Sequence, residues 1–336
     1  MNVLVRTKNG THRFACDPDE KVLHAGLRSG LDLPYECATG TCGTCKARVV
    51  SGRIESAWPG APGSRYLKGE AEVLMCQGLV REDCTLEVGR VVAAEMPVRA
   101  RLQTLGGVLH DRRMLTHDVA AFEVALDRPL DFEAGQFVLV SVPGIAGARA
   151  YSMVNFDRRA GRLSFVVKKK PGGAVSEWLL GDGVEGASLA LVGPLGHAIF
   201  KPDACKHVLC VAGGSGIAGM MSILARAKAA DYFSRHKVHV FFGVRTMRDV
   251  FFLDELAAYP QADITVALSE EDPPANTRLR FERGLVHEVA KRAMAGKYQN
   301  LRAYVAGPPP AVDAAIRVLL LDAKLTTDNI RYDKFS

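Results

Sequence analysis

The chain has 336 residues, 48% hydrophobic and 24% charged, so it has ample core for a folded protein and is too long for one ordinary domain. Its formal net charge of +6 divides into +1 over residues 1–90, +1 over 91–203 and +4 over 204–336, and no basic run is interleaved with aromatics, which speaks against nucleic-acid binding. No apolar run approaches a membrane span and Met1–Phe14 lacks the apolar centre of an export signal, so a cytoplasmic protein with reduced cysteines is expected.

In residues 1–90, Asn2–Arg6 and His12–Cys16 read as strands around an Asn9-Gly10 turn, a hairpin signal. Asp19–Ser29 reads as a helix with Val22, Leu23, Ala25 and Leu27 on its apolar side, and Lys46–Val50 and Thr85–Val88 as further strands. Between them lies Pro34–Cys45. There Cys37, Cys42 and Cys45 stand at C-x4-C-x2-C, with Cys76 downstream, the spacing of a plant-type 2Fe–2S site. Two irons need four converging thiolates, and Gly40 and Gly43 permit the positive φ that turns backbone amides toward the sulfides. Structural zinc, the first competitor, usually shows paired C-x2-C knuckles, of which only one short pair is present; disulfides, the second, suit an exported chain. Cys16, Cys84, Cys205 and Cys210 read as small buried hydrophobes. Residues 38–41 and 43–44 are small and uncharged, and read as a docking centre rimmed by Glu36, Lys46 and Arg48.

Val91–Met96, ahead of Pro97, reads as a linker. From Val98 short strands follow at Val98–Leu105, Val119–Leu126, Gln136–Val142, Arg149–Val154 and Leu163–Lys168, the pattern of a small antiparallel barrel. Arg149-Ala150-Tyr151-Ser152 offers a cation for a phosphate, a ring for a flat ligand and a hydroxyl for a ring nitrogen, although taken alone it reads more readily as an ordinary strand with an exposed Arg. Lys168-Lys169-Lys170-Pro171-Gly172-Gly173 leads through Ala174-Val175 to Ser176 and a helical run, where free amides and a hydroxyl would meet an anion. Gly193-Pro194-Leu195-Gly196 reads as a closing turn.

After Pro202 strands and helices alternate, which implies a parallel sheet covered on both faces. Strands are expected at His207–Ala212, Val238–Val244, Ile264–Leu268 and Ala303–Ala306; helices at Ile217–Ala230, Asp254–Ala258, Leu285–Ala295 and Ala311–Leu321. Gly214, Gly216 and Gly219 spell G-x-G-x-x-G between a strand and a helix, a context that suits a pyrophosphate. The second strand ends at Val244-Arg245 with no acid for an adenine ribose, unlike a Rossmann dehydrogenase. Ala306-Gly307-Pro308-Pro309 lies at the same carboxyl edge.

These motifs in this order resemble the ferredoxin–NADP reductase-like flavoproteins with an N-terminal plant-type ferredoxin domain, the reductase components of bacterial multicomponent aromatic-ring oxygenases. The resemblance implies a multidomain α+β and α/β protein. A β-grasp ferredoxin domain (1–90) and a linker (91–97) would precede an antiparallel β-barrel FAD domain (98–203) and a parallel-sheet nicotinamide dinucleotide domain (204–336). It implies a 2Fe–2S cluster on Cys37, Cys42, Cys45 and Cys76, and FAD held by Arg149, Tyr151, Ser152, Lys168, Gly172, Gly173 and Ser176. It places the dinucleotide at Gly213, Gly214, Ser215, Gly216, Ile217, Arg245, Gly307 and Pro308, with Ser152 and Asp333 at the hydride step and Phe335 near the flavin. Departures are Ala306 where the family often has Cys and Gly219 where it often has Pro. NADH is expected to be favoured, with NADPH also used, and Arg245 or Arg248 would meet a 2′-phosphate. The implied partner is a terminal oxygenase, a Rieske-type dioxygenase or a diiron monooxygenase acting on aromatic compounds, served directly or through a separate ferredoxin. A reductase for another enzyme, such as a sugar-deoxygenating dehydrase, shares the layout. A non-enzymatic iron–sulfur sensor is the alternative of a different class, disfavoured by the flavin and dinucleotide motifs.

Overall fold

The computed structural model describes residues 1–97 and 101–334. Its first module comprises β1 (Asn2–Thr7), β2 (Gly10–Ala15), α1 (Val22–Arg28), β3 (Lys46–Ser51), β4 (Ile54–Ser56), β5 (Glu72–Leu74), β6 (Gly78–Val80) and β7 (Cys84–Glu87). The main sheet has the order β2-β1-β7-β3-β5, with β1 and β7 parallel and the other neighbours antiparallel; β4 and β6 pair separately. The apolar side of α1, Val22, Leu23, Ala25 and Leu27, is buried against a core that holds Val3, Val5 and Leu86. This is the expected β-grasp arrangement, and the Asn9-Gly10 turn joins β1 to β2 with Thr7 opposite Gly10. Cys16, Cys84 and Cys210 are buried as expected, but Cys205 is exposed: it sits in a left-handed turn (φ 49°) before the third module's first strand, outside any core.

The second module is a curled antiparallel sheet of β8 (Gln103–Met114), β9 (Val119–Leu130), β10 (Phe137–Ser141), β11 (Arg149–Ser152), β12 (Ala160–Lys168) and, after helix α2 (Ala174–Leu180), β13 (Ser188–Leu195). The order β11-β10-β13-β8-β9-β12 brings the two edge strands near one another, and the Val154 amide donates to the Ser164 carbonyl at 2.8 Å. Residues 98–100 of the strand expected from Val98 lie outside the described residues. The expected turn at Gly193-Pro194-Leu195 is instead the end of β13. Gly193 pairs with Gln103, Leu195 pairs with Phe137, and the ladder shifts register beside them. A bulge is where a strand tolerates proline, which has no N–H to give.

The third module is a parallel sheet of order β17-β16-β15-β14-β18-β19. Its elements are β14 (His207–Gly213), α3 (Ile217–Ala229), β15 (Val238–Val244), α4 (Leu253–Ala257), β16 (Asp263–Leu268), β17 (Arg280–Arg283), α5 (Val286–Ala293), β18 (Leu301–Gly307), α6 (Pro309–Arg317) and β19 (Ile330–Lys334). The central strands are nearly continuous apolar runs because both faces are covered. Edge strands β17 and β19 are polar at most positions, which hides them from sequence patterning.

The modules are joined by packing and specific bonds. Phe137, Leu139 and Leu195 of the curled sheet belong to the same apolar cluster as the first module's core. Ser222 of α3 accepts the Gly135 amide at 2.9 Å and donates to the Gly219 carbonyl at 2.8 Å, tying the third module to the second. Among the described residues no helix is long and apolar enough to cross a membrane.

Candidate functional site

The cysteine loop is shaped by left-handed backbone at Ala38 (φ 53°), Gly40 (φ 88°) and Gly43 (φ 75°). That path aims the Thr39 and Thr41 amides at Cys37 Sγ (3.5 and 3.4 Å) and the Thr44 amide at Cys42 Sγ (3.5 Å); the Gln77 side chain donates to Cys76 Sγ at 3.8 Å. Gly63 braces the loop from below. Its amide donates to the Gly40 carbonyl at 2.8 Å, and a Cβ there would stand 2.8 Å from that same oxygen.

The four sulfurs converge as two pairs in hydrogen-bonding reach, Cys37 with Cys42 and Cys45 with Cys76. No three of them lie within 4.8 Å of one another. A single tetrahedral zinc, with Zn–S near 2.3 Å, would draw all four to within about 4 Å. Two pairs fit two irons. Within each pair the neighbouring sulfur lowers one thiol, Cys37 and Cys76, and with burial raises the other, Cys42 and Cys45.

Beside the loop opens a cleft of about 430 Å³ walled by all three modules. Glu36, Cys37, Thr39 and Thr41 line it from the first; Arg149, Tyr151, Ser152, Lys168, Lys170, Gly173 and Ser176 from the second; Ser215, Ala218 and Asp333 from the third. Five cations (Arg65, Arg149, Lys168, Lys170 and Lys334) with an aromatic ring, the buried hydroxyl of Ser152 and apolar Phe137 and Val166 suit a flat ring carrying phosphates. Lys168 is paired with Asp118 at 3.0 Å, and Asp118, His117 and Asp249 of the third module cluster within 4.8 Å. The half-buried carboxyl of Asp333 is pushed up to about 7, first by desolvation and then by the nearby charge of Glu36.

Several expectations change. Part of the docking centre read into residues 38–41 and 43–44 turns inward: Ala38, Gly40 and Gly43 are buried and Thr39 and Thr41 line the cleft, while Thr44 is half-buried. The rim residues are engaged as well, Glu36 by Tyr332, Lys46 by Glu72 and Arg48 by Glu87. The amides expected free at the glycine segment are taken, Gly172 by the Glu177 carboxylate (3.0 Å) and Gly173 by the Lys170 carbonyl (2.8 Å), while the Ser176 hydroxyl donates to the Gly173 carbonyl at 2.9 Å. Only the first amides inside α2 are left by helix geometry.

The dinucleotide motifs meet. A Cβ on Gly216 would lie 2.4 Å from the Ala306 carbonyl oxygen, so only glycine lets the loop rest on β18; Gly307 (φ 147°) lies on Gly213, where a Cβ would stand 3.0 Å from its carbonyl oxygen, and Gly213's other neighbour is Pro308. Gly214 (φ 53°) needs a left-handed turn. Ile217 is different: its side chain is fully buried and its amide bonds back to the Gly214 and Ser215 carbonyls, so it supports the loop. Arg245 is held by Asp249 at 3.3 Å. Burial pushes the Asp249 carboxyl up, but the Thr246 amide and hydroxyl, then Arg245 and Lys168, bring it below its usual value. Phe335 lies outside the described residues. Sequence reading missed Tyr332 and Tyr35, whose hydroxyls bridge modules.

An iron–sulfur loop, a flavin-shaped cleft and a dinucleotide loop around one opening define a three-module oxidoreductase. Family models agree: a 2Fe-2S iron-sulfur cluster binding domain matches residues 6–81, an oxidoreductase FAD-binding domain 107–200 and an oxidoreductase NAD-binding domain 210–317. The chain is 33% identical over 333 residues to the ferredoxin–NAD(+) reductase component of an alkene monooxygenase system from Xanthobacter autotrophicus, covering 97% of this chain and 99% of the relative. It is 32% identical to the xylene/toluene monooxygenase electron transfer component from Pseudomonas putida, covering 90% of this chain and 85% of the relative. The solved ferredoxin reductase in carbazole 1,9a-dioxygenase superposes with a TM-score of 0.85 at 30% identity, covering 100% of this chain and 99% of that one. The chain belongs to the family of flavin and iron–sulfur reductase components of oxygenase systems. Its cofactors are a 2Fe–2S cluster, FAD and NADH, with NADPH also named among relatives.

Proposed function

We propose that this chain is the reductase of an oxygenase system, taking hydride from NAD(P)H and delivering single electrons to a terminal oxygenase component, directly or through a separate ferredoxin. The observation that carries this reading is the shared cleft, where Cys37, Ser152 and Ser215 of three modules wall one opening. Bound FAD supplies the change from a two-electron donor to the one-electron cluster, and the chain's residues bind and orient. Arg149, Lys168 and the free first amides of α2 up to Ser176 hold the phosphates, and Tyr151 and Ser152 set the ring. Asp333, whose carboxyl is pushed up to about 7, holds or releases a proton beside that ring. Gly213–Gly216 with Gly307 and Pro308 seats the pyridine nucleotide, while Cys37, Cys42, Cys45 and Cys76 hold the irons. The relatives belong to alkene, xylene/toluene and carbazole oxygenase systems, so the terminal partner is read here as an oxygenase of hydrophobic substrates. A cytoplasmic location fits the pyridine nucleotide and the iron–sulfur ligands.

The test is reconstitution. Purified with iron and FAD, the protein should reduce an artificial dye with NADH, and should support substrate-dependent NADH oxidation by a Rieske-type or diiron oxygenase. Dye reduction without support of any oxygenase would overturn the partner assignment.

A further inference from the structure

We propose that Glu36 and Tyr332 are positioning residues for internal electron transfer, their hydrogen bond fixing the iron–sulfur loop over the cleft. The inference rests on the reading of that cleft as the flavin site. Three consecutive residues carry it. Tyr35 is buried, its hydroxyl accepts the Gly196 amide of the second module at 2.9 Å, and its ring lies 4.7 Å from that of His197. Glu36 accepts the Tyr332 hydroxyl of the third module at 3.0 Å. Cys37 bears the first sulfur and itself lines the cleft.

The loop is thus pinned to two modules immediately before its first ligand. Among the described residues an apolar seam through Phe137, Leu139 and Leu195 also joins the first module to the second, and apolar contact tolerates sliding where directed bonds do not. Tyr332 is itself held: Lys334 stands 5.2 Å from its ring centre and pairs with Asp313 at 2.7 Å. Asp333 follows it directly into the cleft, so one strand sets both the flavin side and the cluster side. In the step concerned, one electron leaves reduced flavin and one ferric iron becomes ferrous. NADH is the source, and no bond between heavy atoms forms or breaks.

Flash photoreduction of the flavin in the full-length holoprotein, by photoexcited deazaflavin with a sacrificial amine donor in place of pyridine nucleotide, isolates that step. Tyr332→Phe and Glu36→Ala, with full FAD and iron content, are expected to slow it about ten- to a hundredfold, the scale of a misplacement near 1 Å. Glu36→Gln, whose amide oxygen still accepts the Tyr332 hydroxyl, is expected to restore most of the rate. Hydride transfer from NADH, followed separately by stopped flow, should stay at wild-type speed in Tyr332→Phe. An unchanged internal step in both Tyr332→Phe and Glu36→Ala overturns the proposal, as does a Glu36→Gln protein as slow as Glu36→Ala. A wild-type protein holding no flavin that NADH reduces would overturn the reading of the cleft instead.

Discussion

Gly219 lies against Ser152: a Cβ on the glycine would stand 3.7 Å from both the Cβ and the Oγ of the serine. The first turn of the dinucleotide helix therefore abuts the hydroxyl that the flavin strand presents. Ser152→Ala is expected to slow flavin reduction by roughly ten- to a thousandfold, the scale of losing one positioned group. FAD content should hardly change. Stopped-flow reduction at wild-type speed would remove Ser152 from the hydride step.

Asp333 gives a stability signature. Its folded-state pKa of about 7 lies above the ordinary 3.8, so the folded protein binds this proton more tightly than the unfolded chain. The protonated form favours folding, and that advantage is lost as pH rises from about 4 to 7, with a slope of at most about 1.4 kcal/mol per pH unit. Cofactor-free wild type should therefore lose stability relative to Asp333→Asn across this window and run parallel to it above. Parallel denaturation midpoints from pH 4 to 7 would show a carboxyl of ordinary acidity.

The paired sulfurs predict a modular loss. Cys76→Ser leaves Cys45 without the partner it needs for one iron, so 2Fe–2S absorbance and labile sulfide should disappear. FAD should remain, since Arg149, Ser152 and Ser176 lie on another module. If dye reduction by NADH vanished along with the cluster in a folded, FAD-loaded variant, the cluster and flavin would not be separable stations.

Coenzyme choice should depend on Asp249. It engages Arg245 at 3.3 Å, and the nearby Glu271 carboxylate accepts the Met247 amide at 2.8 Å, so the end of β15 is less cationic than its sequence suggests. Wild type should favour NADH. Asp249→Asn should release Arg245 and raise the NADPH-to-NADH ratio of kcat/KM roughly tenfold, the size of one hydrogen bond to a charged group. An unchanged ratio would place the discriminating contact elsewhere.

What could be read from sequence was whatever is encoded locally. The C-x4-C-x2-C loop and Gly214-x-Gly216 announce themselves because ligand spacing and close backbone approach constrain neighbouring residues. The strand ending at Leu195 was concealed because Gly193-Pro194 carries turn chemistry, and only the partner strands reveal a bulge there. Asp333 came through resemblance alone, since β19 shows no alternation of its own. The bond from Tyr332 to Glu36 spans 296 positions, and neither residue's neighbourhood hints at the other. That Ala38, Gly40 and Gly43 turn inward was not legible, because a small, neutral loop looks the same whether it meets a partner or a cofactor.

Residues 91–97 bear on how the protein works in time. Stretched out, seven residues would reach about 23–25 Å, enough for a swinging arm. Instead Asn9 clamps both the amide and the carbonyl of Val92 at 2.9 Å, the Asp32 backbone amide donates to the Ala93 carbonyl at 2.9 Å, and the Met96 amide donates to the Gly30 carbonyl at 3.0 Å. The tether is stowed along the module it would have to release. Such a molecule behaves as a fixed terminal at which partners call in turn, so its throughput should follow partner concentration and show little sensitivity to the length of spacer inserted after Pro97.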